Sequence, residues 1–135
     1  MADYNTDLIE EFRANDGLVG GHFEGWTLLL LHHTGAKSGD ERVSPLTYQA
    51  LDDGGIAIFA SRGGAAHNPA WYHNVMAHPD VVIEAGSDKV DVFAREATGE
   101  ERDRIWTKQK ADRPVFATYE RKTDRVIPVI VLEPR

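Results

Sequence analysis

The sequence predicts one α+β domain, mainly antiparallel β, whose strands close into a small barrel with short helices packed around it. Three observations predict this. The strand-like runs are short and joined by tight turns. Helical segments are inserted between groups of strands instead of following every strand, which disfavours a doubly wound parallel sheet. Finally, 135 residues make one ordinary domain with one core, taken here as 1–135 with 1–17 an N-terminal helix.

Leu8, Ile9 and Phe12 share one helical stripe, with Asp7 as N-cap, Glu10 three residues later and a stop near Asn15-Asp16-Gly17. After a glycine-rich passage through Gly20-Gly21 and Gly25, the run from Trp26 to His32 is apolar on successive positions, as in a central strand covered on both faces. Gly35 to Asp40 breaks that strand and Arg42 to Ala50 forms the next. Asp52-Asp53-Gly54-Gly55 then turns the chain into Ile56 to Ala60. Asn68 at N-cap and Pro69 at the first helical position start a helix that Pro79 ends about two turns later. Val81 to Ala85 and Val90 to Phe93 flank Gly86-Ser87-Asp88 as a hairpin. Thr98 with Glu101 reads as a capping box opening a polar helix through about Lys110. The last strand, Val126 to Leu132, contains Pro128, which suggests an edge or a bulge.

Composition excludes several classes of function. The 15 Lys and Arg against 22 Asp and Glu leave a net charge of −7, which repels nucleic acid and anionic lipid. With no cysteine there is no disulfide, thiol nucleophile or thiolate metal site. The longest strongly apolar run, Trp26 to Leu31, is far too short to span a bilayer. The start, Met1-Ala2-Asp3-Tyr4, lacks the basic and apolar regions of a signal peptide, so a cytoplasmic location is expected.

Two loops carry candidate chemistry. In Gly35-Ala36-Lys37-Ser38-Gly39, followed by Arg42, glycines allow amides to converge on an anion while Lys37 and Arg42 add charge and Ser38 a hydroxyl. The alternative is a solvated inter-strand turn. The Walker spacing is absent and a strand follows, so NTP hydrolysis is not supported. In Ser61 to Pro69, a strand runs through Gly63-Gly64 into a helix start whose amides, with Arg62 and His67, suit an anion such as a phosphate. The alternative there is a tight turn relieved by glycine. Residues 26–79 hold three Lys or Arg against four acids, and five of the six histidines, so this stretch is less acidic than the rest. A phosphorylated cofactor fits it better than a cationic one.

Trp71 and Asn74 lie three apart and share a helical face, Trp71 being either a core anchor or a stacking platform. The spacings of His67, His73 and His78 match no zinc helix, so no metal site is expected. His32-His33 alternates faces on a strand and reads as an ordinary satisfied pair. No Gly-x-Ser-x-Gly elbow occurs, which removes serine hydrolysis. Phe116 and Tyr119, at helical spacing, are core packing or one wall of a pocket.

Five segments taken in order resemble the deazaflavin-dependent nitroreductase family: Gly21 to Gly25, Thr34 to Leu46, Ala60 to Gly64, Asn68 to Asn74, and Arg125 to Val129. The resemblance covers roughly residues 8–134. It implies a split β-barrel of the FMN-binding type and coenzyme F420, a deazaflavin whose tail carries a phosphate and a polyglutamate. By motif, Lys37, Ser38, Arg42, the Gly63-Gly64 loop and the helix beginning at Pro69 would hold the acidic tail. Pro45, Leu46, Ser61, Arg62, Trp71 and Asn74 would surround the ring and its linker.

The implied reaction is hydride transfer from reduced deazaflavin to an electron-poor small molecule such as a quinone, a nitroaromatic or a conjugated lactone. Ser61 would hydrogen-bond the acceptor and Tyr119 would line its end and donate a proton. Thr47, Arg113 and Phe116 stand where relatives place extra tyrosines, which leaves the acceptor open. Competing readings are an FMN-dependent split-barrel oxidoreductase, a non-catalytic deazaflavin carrier, and a haem or lipid pocket that would leave both anion loops unexplained. The resemblance also allows a homodimer, because such barrels often pair through an exposed sheet face.

Overall fold

Six antiparallel strands close on themselves in the computed structural model, which describes residues 4–15 and 28–135. They are β1 Leu28–Thr34, β2 Glu41–Ala50, β3 Ile56–Phe59, β4 Asp80–Ala85, β5 Asp88–Glu96 and β6 Val129–Pro134, arranged in the order β1-β2-β3-β6-β5-β4. Four short helices accompany them: α1 Tyr4–Ala14, α2 Ala70–Ala77, α3 Gly99–Asp112 and α4 Val115–Lys122. The α+β barrel expected from the sequence is therefore the observed architecture. The expected strand start at Trp26, the Asp16-Gly17 stop and the Gly20 to Gly25 passage lie outside the described residues.

The run of four leucines that opens β1 is explained by what covers each face. Leu29 and Leu31 point into the barrel with Ile58, Ile83, Ile130 and Leu132, while Leu28 and Leu30 point outward under Leu8 and Phe12 of α1. Burying each such side chain contributes about 2 kcal/mol. Trp71 and Val75 of α2 join the interior core from one end of the barrel. On the opposite outer face, α3 and α4 set Ile105, Trp106 and Phe116 against Phe59, Val129 and Val131. The rings of Phe59 and Phe116 lie 5.6 Å apart there.

Four local expectations are corrected. Helix α1 begins at Tyr4, so Asp7 is inside the first turn, where its charge favours the helix dipole, and is not the cap. Pro69, not Asn68, caps α2, because the Asn68 amide oxygen accepts a 2.6 Å bond from Arg125. Thr98 does precede α3, but its side chain makes no capping bond, and Glu101 is drawn 2.6 Å from Arg95 instead of reaching back. Pro128 sits just outside β6, which is flanked by β3 and β5 and so has no edge; its carbonyl accepts the Ala60 N–H at 3.0 Å.

One ion pair ties α1 to the barrel. Glu84 of β4 accepts from Arg13 at 2.8 Å and 3.2 Å and lies 2.6 Å from His32 Nε2. Chiefly because of the Arg13 hydrogen bonds, its carboxyl is held down to about 2. Since that is below the unfolded value, the contribution is complete above about pH 4.5 and is lost as pH falls towards 2. Glu84→Gln should therefore cost about 1 kcal/mol in urea unfolding at pH 7, with Arg13 half in solvent, and less at pH 3. An equal deficit at both pH values would refute this.

Candidate active site

Strand β2 has different partners along its length. Its first part pairs with β1, from Thr34 opposite Glu41 to Leu28 opposite Thr47, and only Tyr48 to Ala50 pair with β3. Among the described residues, no strand pairs with residues 41–47 on the β3 side. Pro45, with no N–H to donate, is tolerated there. A recess of about 300 Å³ occupies this split. Pro45, Leu46 and Thr47 form one wall, and Phe59, Ser61 and Arg62 lie where β3 ends. Pro69 and Trp71 bring in α2, Phe116 and Tyr119 bring in α4, and Leu8 and Leu28 complete the apolar lining. Trp71 is a core anchor, as one of the two readings had it, and it also lines this cavity. Phe116 is buried, and Tyr119 packs against it edge-on at 5.3 Å.

The polar end of this recess is shaped by an unusual backbone. Arg62 has φ +46, a left-handed conformation that costs a non-glycine residue about 1 kcal/mol. It opens a 3₁₀ turn over Arg62–Gly64 that is closed by Gly64 N–H to Ser61 O and Ala65 N–H to Arg62 O. Arg125 braces the turn from outside, donating to Ala60 O at 3.2 Å, Ser61 O at 2.9 Å, Ala65 O at 3.0 Å and Asn68 Oδ1. Burial, and then the positive charge of Arg62, lower the Arg125 pKa. The field of Arg62 therefore reaches Arg125, whose guanidinium donates to the Ser61 carbonyl. The geometry suits negative charge on a small molecule in the recess.

Across α2 lies a second recess of about 600 Å³, lined by the Gly35–Ser38 loop, Arg42, Ala70, His73 and Asn74. Lys37, Ser38 and Arg42 are exposed at its rim, a cationic and hydroxylic setting for an extended anion. The loop is closed internally by Gly35 N–H to Asp40 O at 2.8 Å and Gly39 N–H to Gly35 O at 2.9 Å. It is tied to α2 by Ala36 N–H to Asn74 Oδ1, also 2.8 Å.

Most of the residues expected from the sequence fall in these two places, but Asn74, expected at the ring, lines the second recess, and Pro69, expected at the tail, lines the first. Pro45, Leu46, Ser61, Arg62, Pro69, Trp71 and Tyr119 meet in the first recess, and Lys37, Ser38, Arg42 and Asn74 in the second. Gly64 and His67 line neither, and the surroundings of Gly63 lie outside what the structure describes. The amide of Gly64 is spent within the 3₁₀ turn, and His67 is exposed. Among the described residues no three His, Asp or Glu cluster as a metal site, and no helix is long and apolar enough to cross a membrane.

Sequence reasoning missed Arg125, although it lay in one of the matching segments. Nothing in the residues around it, Asp124 included, hints that its partners are the oxygens of Ala60, Ser61, Ala65 and Asn68, about sixty residues away. It also missed His73, one turn after Ala70 on the exposed side of α2 and so within reach of the second recess.

Residues 7–134 match the F420H(2)-dependent quinone reductase family. The chain belongs to this family. An F420H(2)-dependent quinone reductase of Mycobacterium tuberculosis is 38% identical over 130 residues, covering 92% of this chain and 85% of the relative. A solved F420-H2 dependent reductase, FDR-A, is 41% identical with a TM-score of 0.71, covering 84% of this chain and 100% of that one. A second structure, described as a domain-swapped dimer, is 39% identical with a TM-score of 0.73 over 95% and 93% of the two chains. The family is one of oxidoreductases, its cofactor is coenzyme F420, and the split barrel is its fold, so FMN gives way to the deazaflavin.

Proposed function

We propose that this member of the F420H(2)-dependent quinone reductase family reduces a quinone with its ring recess and tail recess working as one site. The observation that supports this is the pair of cavities on either side of α2, one apolar and slot-like, the other rimmed by Lys37 and Arg42. The donor set fits the coenzyme. A flat aromatic ring suits the walls of Leu46, Trp71 and Phe116, and an anionic tail suits the two cations and the Ser38 hydroxyl.

When bound, reduced F420 supplies the hydride. The chain's own residues have three tasks. Leu46, Trp71, Phe59 and Phe116 exclude water around the reacting face. The Ser61 hydroxyl, held by the braced turn, donates to an acceptor oxygen as negative charge grows on it, and Arg62 adds a favourable field. Tyr119 borders the same space and can pass a proton to the reduced oxygen. Lys37, Ser38 and Arg42 anchor the tail and so fix the ring's register along the slot. We also infer a homodimer, supported by the relative described as a domain-swapped dimer; sedimentation of the purified protein tests it.

The catalytic reading is tested by binding and turnover together. Ser61→Ala should lower kcat with a benzoquinone roughly tenfold or more while the Kd for F420 stays within about twofold. Unchanged turnover would remove Ser61 from the reaction, and binding of F420 without oxidation of its reduced form by any quinone would make the protein a carrier.

A further inference from the structure

His33 does not line either recess, yet it is a link in a hydrogen-bonded chain that ends in one. The ring lies on the interior side of β1 and is 5% exposed, and Asn74 on α2 is 6% exposed. Asn74 Oδ1 faces the Ala36 N–H at 2.8 Å, and its Nδ2 faces His33 Nδ1 at 2.9 Å. His33 Nε2 lies 2.9 Å from Ser44 Oγ on β2.

Donor and acceptor chemistry fixes every orientation in this chain. A backbone N–H can only donate, so the Asn74 oxygen must face Ala36 and its NH2 must face the histidine. His33 Nδ1 is then an acceptor, and the ring proton sits on Nε2, directed at the Ser44 hydroxyl. Burial, aided by the charges of Arg42 and His32, holds the imidazole pKa down to about 4, so the neutral form that this arrangement needs is the one present near neutrality. If Nδ1 carried a proton, two donors would face each other, and turning the amide over to relieve them would set its NH2 against the Ala36 N–H.

We propose that His33 is a positioning residue for the cofactor's anionic tail: by orienting the Asn74 amide it holds Ala36, and with it Lys37 and Ser38, against α2. The Gly35–Asp40 loop is closed on itself by its own backbone bonds, so it moves as a unit and its attachment to α2 sets where its cation and hydroxyl stand. This inference rests on the reading of the second recess as the tail site.

The test compares F420 with the deazaflavin riboside that lacks phosphate and glutamates, titrated into the parent, His33→Leu and His33→Asn. Asparagine returns an acceptor near the Nδ1 position and leucine does not. The parent should bind F420 at least tenfold more tightly than the riboside. His33→Leu should lose about tenfold for F420, the worth of one hydrogen bond, with riboside affinity within twofold of the parent. His33→Asn should recover most of the loss. Equal weakening of both ligands, or of neither, overturns the role of His33. A parent without preference for F420 overturns the tail-site reading itself, and the inference with it. Where His33→Leu does not fold, nitrogen chemical shifts of His33 in the parent decide the matter, since a proton found on Nδ1 contradicts the chain.

Discussion

Gly64→Ala should destabilise the fold by about 3 kcal/mol in urea unfolding and should lower turnover as well. Two costs combine. At φ +85 any L side chain is strained, by roughly 1 kcal/mol. In addition, a Cβ at this position would lie 2.8 Å from Tyr119 O, 2.9 Å from Lys122 Cβ and 3.1 Å from Tyr119 Cα. Two of those three atoms are helix backbone, which cannot swing aside as a flexible side chain can, so the 3₁₀ turn and α4 must separate at a further cost of about 2 kcal/mol. Gly54 provides the control, because it has φ +90 with nothing within 4 Å of its Cβ position. Gly54→Ala should therefore cost only the conformational part. If the two variants unfold at the same urea concentration, the close approach to α4 is not what Gly64 is for. Separation of the turn from α4 also moves Ser61 relative to Tyr119, so the turnover defect should exceed what lost stability explains.

The same glycine shows what a sequence carries and what it does not. Gly63-Gly64 reads correctly as a tight strand-to-helix passage, because positive φ is a local property that glycine announces. Its contact with α4 depends on residues more than fifty positions away and has no local signature, so an anion-binding role and a packing role look alike in one dimension. The barrel itself was legible for the opposite reason. Period-two alternation in β5, turn chemistry at Asp52–Gly55 and the two-sided apolar run of β1 are short-range signals of burial and pairing. Where such signals failed, a tertiary partner had taken the group concerned. Glu101 was claimed by Arg95 and so left the capping box, and Asn68 was claimed by Arg125 and so left the cap of α2. Pro128 suggested an edge because proline cannot donate, yet the chain needs only its carbonyl at that point. For the candidate site, the two loops were readable as segments, and the division of their residues between two recesses was not, because it follows from where β2 changes partners.

Arg125 offers the sharpest separation of position from charge, and its replacement should have the largest effect on the reaction. Its three donor nitrogens serve four neutral oxygens, those of Ala60, Ser61, Ala65 and Asn68, so one planar group defines the path of the chain that carries Ser61 and the strained Arg62. Arg125→Met keeps the bulk and loses every bond; we expect kcat/KM to fall about 100-fold and stability by about 2 kcal/mol. Arg125→Lys keeps the charge but offers a single ammonium where the geometry asks for a fork. If Arg125 acted mainly by its field on the acceptor, lysine would restore near-parental kinetics. If it acts by holding the turn, lysine should recover little of the rate. The geometry favours the second alternative, since all four acceptors are neutral oxygens met by the three nitrogens of one planar group. Steady-state kinetics with reduced F420 and a benzoquinone decide between them. A lysine variant within threefold of the parent would show that the brace is dispensable and that charge alone was wanted.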